Sequence, residues 1–188
     1  MRRRGNLSLK LPDGNILATP TGSCLGRLVE DELSVVTLDG ELISGKKASK
    51  EVGFHLDIYR SNPAVNAVVH LHSTYLTALS SIDHIEKENV IEAFTPYYVM
   101  RIGKLPLLPY FRPGSNEIGK EIAKYTSQGY TAVLLANHGP VVTGTDFINA
   151  SDNAEELEET AKLKFLLEDM KVRYLTEPEK EALSGMKS

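Results

Sequence analysis

Cysteine is almost missing from the 188-residue chain, where Cys24 stands alone. One thiol excludes an internal disulfide framework and fits a reducing compartment. A large charge of one sign is also missing: a net −4 leaves no basic footprint of the kind that grips nucleic acid. No apolar run approaches the roughly 20 residues that a membrane-spanning helix needs. The start, Met1-Arg-Arg-Arg-Gly5, lacks the apolar stretch of a secretory signal. These absences point to a cytoplasmic protein with neither nucleic acid nor membrane among its partners. What is present is an ordinary globular composition, 41% hydrophobic and 24% charged, on a length suited to one compact domain over residues 1–188.

The informative stretch runs from Ala67 to Ser80 and carries His70 and His72 two residues apart. In an extended strand, residues i and i+2 share a face. Two imidazoles side by side on an apolar strand are costly to bury without a shared partner, and a divalent metal is such a partner. A third imidazole, His138, stands in Asn137-His-Gly-Pro140 between two apolar segments, where chain ends gather function. Three histidines match a catalytic zinc site, which keeps a position open, whereas structural sites favour cysteine. Glu51 is the leading fourth ligand or base, although read alone it is a first-turn carboxylate favoured by the helix dipole. His55 reads as packing or surface, and His84 as solvated. Asn6, Thr21, Gly22 and Ser49 are small polar loop residues of the type that cradles phosphate. Lys50 is either a solvated lysine or a point charge for that anion.

The chain opens as an antiparallel meander: Leu7 to Leu11, the turn Pro12 to Asn15, Ile16 to Thr19, Leu33 to Leu38 and Glu41 to Ile43. Ser49 is the expected N-cap of a helix over Lys50 to Ser61, stopped by Asn62-Pro63. Asn66 to Leu71 is the histidine strand, followed by a short helix over Thr74 to Ser81. Leu105 to Phe111 contains Pro106 and Pro109 and reads as an edge strand. Ser115 caps a helix over Asn116 to Ser127, and Ala132 to Ala136 reads as a strand buried on both faces. The longest helix is expected over Asp146 to Tyr174, with Ala154, Leu157, Ala161 and Phe165 inward and Glu155, Glu156, Glu158 and Glu159 on a solvated face. The polar tail over about 176–188 is expected to be disordered.

Five segments, taken together, resemble the class II aldolase/adducin family. They are Gly5-Asn-Leu-Ser8, Leu17-Ala-Thr-Pro-Thr-Gly22, Ser49-Lys-Glu51, Val68-Val-His-Leu-His-Ser73 and Leu134-Leu-Ala-Asn-His-Gly139, in the family's order and spacing. Within the family, Thr19 to Leu28, Thr95 to Arg101, Tyr110 to Gly114 and Asn137 to Gly144 are most similar to the branch that decarboxylates 3-oxo-tetronate 4-phosphates. The resemblance implies an α/β/α sandwich of three layers around a mostly antiparallel sheet. It implies one Zn2+ per subunit on His70, His72 and His138. Glu51 would be the acid/base residue and a ligand when substrate is absent. Asn6, Thr21, Gly22, Ser49 and Lys50 would form the phosphate pocket.

The activity implied is loss of carbon dioxide from a phosphorylated sugar acid through a metal-stabilised enediolate, giving dihydroxyacetone phosphate, by a homotetramer. Lys50, Arg101 and Arg112 are the cations available to the substrate carboxylate, and Tyr97 and Tyr98 are candidates for proton delivery. Alternatives within the family are a fuculose-phosphate-type aldolase, a pentose-phosphate 4-epimerase and a non-catalytic adducin-like interaction module. The helix that usually precedes the Gly-Asn motif is expected to be lacking, and Arg3 and Arg4 stand where the family has small residues.

Overall fold

The computed structural model describes residues 5–184 and 186, so Arg3, Arg4 and the place of the expected missing helix lie outside the described residues. One eight-stranded sheet organises the chain. Its strands are β1 (Gly5–Lys10), β2 (Ile16–Ala18), β3 (Ser34–Val36), β4 (Leu42–Ser44), β5 (Ala67–Leu71), β6 (Leu107–Leu108), β7 (Ala132–Leu135) and β8 (Gly139–Gly144). The spatial order is β4-β3-β2-β1-β5-β8-β7-β6. Every pairing is antiparallel except β6 with β7, and the edge strand, expected over Leu105 to Phe111, is confined to Leu107–Leu108 between Pro106 and Pro109.

Helices cover both faces, which gives the three layers. On one face lie α1 (Val52–Ser61) and α4 (Asn116–Thr126); on the other lie α2 (Thr74–Leu79), α3 (Pro96–Arg101) and α5 (Phe147–Leu166). The alternation of β5 assigns its side chains. Ala67 and Val69 join a core with Leu76, Tyr98 and Leu157, whereas Val68 joins a core with Phe54, Ile58, Ile118 and Ile122. His70 follows the parity of Val68 and so faces the α1 layer, where its ring packs edge-on against Phe54 at 5.5 Å between centroids. β7 is buried at every position, as its apolar run leads one to expect.

Several boundaries differ from the sequence expectation for local reasons. α1 begins at Val52 rather than Lys50, because Ser49 to Glu51 form a turn in which the Ser49 hydroxyl accepts from the Glu51 N–H at 3.3 Å. β5 ends at Leu71, leaving His72 just past the strand. α5 stops at Leu166 and does not run to Tyr174. The chain turns back so that the Leu175 N–H reaches the Ala93 carbonyl at 2.9 Å, tying this return to the core. The tail is not disordered throughout: Glu177–Ser184 forms α6 against α3, and the Glu179 carboxylate accepts from the Thr176 N–H at 2.8 Å ahead of it. Among the described residues, no helix is long and apolar enough to cross a membrane.

Two glycines allow the strands of the centre to close on one another. Gly5 adopts φ +121°, and a Cβ there would lie 2.0 Å from the His70 carbonyl oxygen. A Cβ at Gly139 would lie 2.3 Å from the Leu71 carbonyl oxygen. Gly139→Ala is therefore expected to destabilise the protein by roughly 1–3 kcal/mol. Urea unfolding checks this, and a parental midpoint would show that the contact relaxes freely.

Candidate metal centre

Three elements deliver the histidines to one point. His70 is fully buried on β5, His72 follows the strand end, and His138 occupies the turn between β7 and β8. That turn is a three-residue loop closed by the Leu135–Gly139 pair, with Asn137 at φ +57°, a conformation asparagine tolerates better than most residues. It is pinned to the segment after His72. The Asn137 N–H donates to the Ser80 carbonyl at 2.9 Å, and the Thr77 hydroxyl donates to the His138 carbonyl at 3.1 Å.

The Nε2 atoms of His70 and His138 stand 3.3 Å apart, and those of His138 and His72 stand 3.0 Å apart. Glu51 faces the same point, with Oε2 3.6 Å from His70 Nε2 and Oε1 3.4 Å from His138 Nε2. All four ligand atoms lie within 4.8 Å of one another. Ligands at about 2.0–2.1 Å from a tetrahedral ion stand roughly 3.3–3.4 Å apart, so the cluster fits a divalent metal in donor type and spacing. The tautomer of His70 agrees. A carbonyl oxygen can only accept, so His70 Nδ1–H donates to the Pro140 oxygen at 2.8 Å and leaves the Nε2 lone pair aimed at the cluster. Burial, followed by the neighbouring His138, holds His70 well below the ordinary histidine range, which keeps the ring neutral and able to ligate. Burial also lowers His138, against an opposing pull from Glu51.

Sequence reading placed His55 in packing or at the surface, but the structure buries it in a continuous hydrogen-bond chain. The Tyr59 hydroxyl lies 2.8 Å from Ser8 Oγ, and Ser8 Oγ lies 2.7 Å from His55 Nδ1. His55 Nε2 lies 2.6 Å from Asn6 Oδ1, and Asn6 Nδ2 donates to Glu51 Oε2 at 2.7 Å. The sequence signal was available in retrospect: Ser8 and Asn6 share one face of β1, and His55 and Tyr59 are four apart on α1. Glu158 is the second omission. It does not lie on a solvated face; its carboxylate accepts from Ser73 Oγ at 2.7 Å and from the Tyr75 and Leu76 N–H groups at 2.8 and 3.0 Å. It thereby caps α2 immediately after His72. Its spacing, four after Ala154 and three before Ala161, places it at the margin of the inward face.

Of the predicted phosphate residues, Asn6 reaches the cluster itself. Thr21, Gly22, Ser49 and Lys50 lie on two adjoining loops. These loops are joined by Thr21 N–H to the Lys47 carbonyl at 2.8 Å and Ser49 N–H to the Thr19 carbonyl at 3.1 Å. Lys50 lines a cleft with Glu51, Ser115 and Asn116. Arg101 is directed elsewhere, to Asn153 at 3.5 Å and Asp152 at 3.5 Å on α5. Tyr98 is buried in the core with its hydroxyl on Asn89, whereas Tyr97 is 61% exposed.

A carboxylate and three convergent imidazoles on a mostly antiparallel α/β/α sandwich define a protein with a potential metal site of the class II aldolase kind. Residues 2–165 match the Class II Aldolase and Adducin N-terminal domain, and the chain belongs to that family. It is 62% identical over 172 residues to a 3-oxo-tetronate 4-phosphate decarboxylase of Pectobacterium atrosepticum, covering 92% of this chain and 78% of that protein. A Haemophilus influenzae protein of the same name is 56% identical over 181 residues, covering 96% and 86%. The crystal structure of YgbL from Klebsiella pneumoniae superposes with a TM-score of 0.94 at 56% identity, over 97% of this chain and 88% of that one. An L-fuculose 1-phosphate aldolase superposes at 0.86 with 27% identity, over 97% and 84%.

The buried chain carries a pH signature. Burial pushes His55 down to about 3, from about 6.5 in the unfolded state. Below pH 6.5 the unfolded chain binds a proton that the folded chain refuses. Stability is therefore unaffected above that pH and falls as pH drops towards 3, by about 1.4 kcal/mol per unit from this group. Between pH 7 and pH 5, the metal-free protein is expected to lose about 2 kcal/mol more than His55→Gln does. Urea titrations at both values test this, and parallel losses would exclude it.

Proposed function

We propose that the chain is a divalent-metal lyase that converts a 3-oxo-tetronate 4-phosphate to dihydroxyacetone phosphate and carbon dioxide. The observation that carries this reading is the meeting of Glu51 with His70, His72 and His138, on a chain 56–62% identical to proteins named for that reaction. Zinc is the ion proposed, since an all-histidine set with a carboxylate and an accessible side is the catalytic pattern. When bound, the ion supplies Lewis-acid stabilisation to the oxyanion that develops on the substrate ketone.

The remaining steps fall to the side chains. The substrate is a β-keto acid with a hydroxyl beside its ketone. Breaking the bond to the carboxylate carbon sends the electron pair toward the ketone and leaves an enediolate. One proton added at carbon completes the product, and Glu51 is its proposed donor. Asn6 occupies Glu51 Oε2, so Oε1 is the oxygen that carries the proton. His70 is fixed through Pro140, and His138 through Thr77 and Ser80, which keeps the ligand set preorganised. Thr21, Gly22, Ser49 and Lys50 offer hydroxyls, backbone N–H groups and an ammonium to the phosphate. An aldolase of the fuculose-phosphate type is the second reading, favoured by the 27% identical structural neighbour. The same cluster could expel an aldehyde instead of carbon dioxide. The complete donor set argues against a non-catalytic interaction module.

Incubation with a synthetic 3-oxo-tetronate 4-phosphate should release carbon dioxide and dihydroxyacetone phosphate in equal amounts. Aldehyde release from fuculose 1-phosphate without carbon dioxide from the sugar acid would establish the aldolase reading instead. Glu51→Gln should retain metal, measured by elemental analysis, and lose on the order of 100-fold or more in turnover. Full activity would remove Glu51 as the proton donor. A homotetramer completes the proposal, supported by apolar side chains left open at Leu42 and Ile43 (51% and 53% exposed) on β4 and at Ile148 (73%). Sedimentation at micromolar concentration should give four subunits, and a monomer would exclude this.

A further inference from the structure

We propose that His55 is a positioning residue for Glu51, acting through the amide of Asn6. The inference rests on Glu51 belonging to the metal centre. His55 does not touch the cluster, and the polarity of the hydrogen-bond chain explains its effect. Glu51 Oε2 accepts from Asn6 Nδ2, so the Asn6 amide must present Oδ1 to His55. An amide oxygen only accepts, so His55 Nε2 carries the hydrogen. A neutral ring then has its lone pair on Nδ1, which must accept from Ser8 Oγ at 2.7 Å. With its one proton committed, Ser8 accepts from the Tyr59 hydroxyl at 2.8 Å. Every bond in the series has one allowed direction, beginning at a phenol proton and ending at a carboxylate.

This arrangement solves a particular problem. An asparagine amide has nearly the same shape either way round, and only its partners decide which end faces the metal centre. Turned over, Asn6 would set an oxygen against the Glu51 carboxylate and push it away. His55 prevents this by offering a donor where Asn6 Oδ1 lies. Among the described residues, no buried side-chain nitrogen or oxygen lacks a partner, so the chain has no slack member. The register supports the same point: Asn6 pairs with His70 across β1 and β5, so the residue that orients the carboxylate sits opposite a proposed metal ligand.

Cobalt(II) bound to the chelator-stripped protein is the probe, because its visible spectrum reports ligand number and identity without turnover. His55→Asn and His55→Phe remove the donor at the Nε2 position. They are expected to change the cobalt spectrum and to lower kcat by about 10- to 100-fold, with KM altered less than about threefold. His55→Gln places an amide N–H where Nε2–H was, and is expected to restore both readouts to within about threefold of the parent. Ser8→Ala is a small change that carries the test if the His55 variants fail to fold. It frees His55 to take the opposite tautomer and should reproduce the spectral change in part. Parental spectra and kcat in His55→Asn, His55→Phe and Ser8→Ala would overturn the inference, as would equal losses in His55→Gln and His55→Asn. A shifted cobalt spectrum in a protein that releases no carbon dioxide would remove the proposed reaction and leave the positioning role standing.

Discussion

Three imidazole nitrogens and a carboxylate aimed at one point form an arrangement that a protein interior does not tolerate for its own sake. His70 is fully buried and the Glu51 and His138 side chains are only 16% and 12% exposed, and an imidazole lone pair facing another imidazole gains little. A shared cation would resolve the conflict, and hydrogen bonds from the surrounding structure hold Glu51, His70 and His138 in place. β1, β5 and β8 lie side by side at the middle of the sheet, each contributing at or beside the cluster. Gly5 and Gly139 permit the backbone approach that this requires.

The supporting contacts divide the work between the two faces of the sheet. On the α1 face, Asn6, His55, Ser8 and Tyr59 orient Glu51. On the α5 face, Glu158 caps the helix that follows His72. Pro140 adds a device of its own. It stands at the start of a central strand, where a missing N–H is usually unwelcome. Its carbonyl is the acceptor that fixes His70. The short run His138-Gly139-Pro140 thus supplies one imidazole of the cluster, a close backbone approach and a hydrogen-bond partner for another of its imidazoles.

Much of this was legible in one dimension. The β-branched run before His70, the alternation of β1 and the capping serine of α4 follow from periodicity and local hydrogen bonding, and the corresponding elements are present. The likeness of five short segments to the class II aldolase/adducin family singled out Glu51, His70, His72 and His138 before any geometry was known, and these four side chains converge. Helix ends were less legible. α5 has no local stop signal at Leu166; the chain leaves the helix because Leu175 bonds back to Ala93, some eighty residues earlier in sequence. Glu158 looked like one more acid on a charged face, since its partners come from a different element.

The amino-acid sequence by itself determined which chemistry the chain can hold: imidazoles, a carboxylate, small loop residues, and strands and helices with one apolar side. These are properties of residue type and spacing, and they survive without knowledge of neighbours. Tertiary structure alone decided which polar groups face each other. Asn6 and His55 are 49 residues apart, and Ser8 and Tyr59 are 51 apart. Hydrogen bonds act over about 3 Å and depend on direction, so only packing α1 onto β1 could join these residues into one chain ending at Glu51.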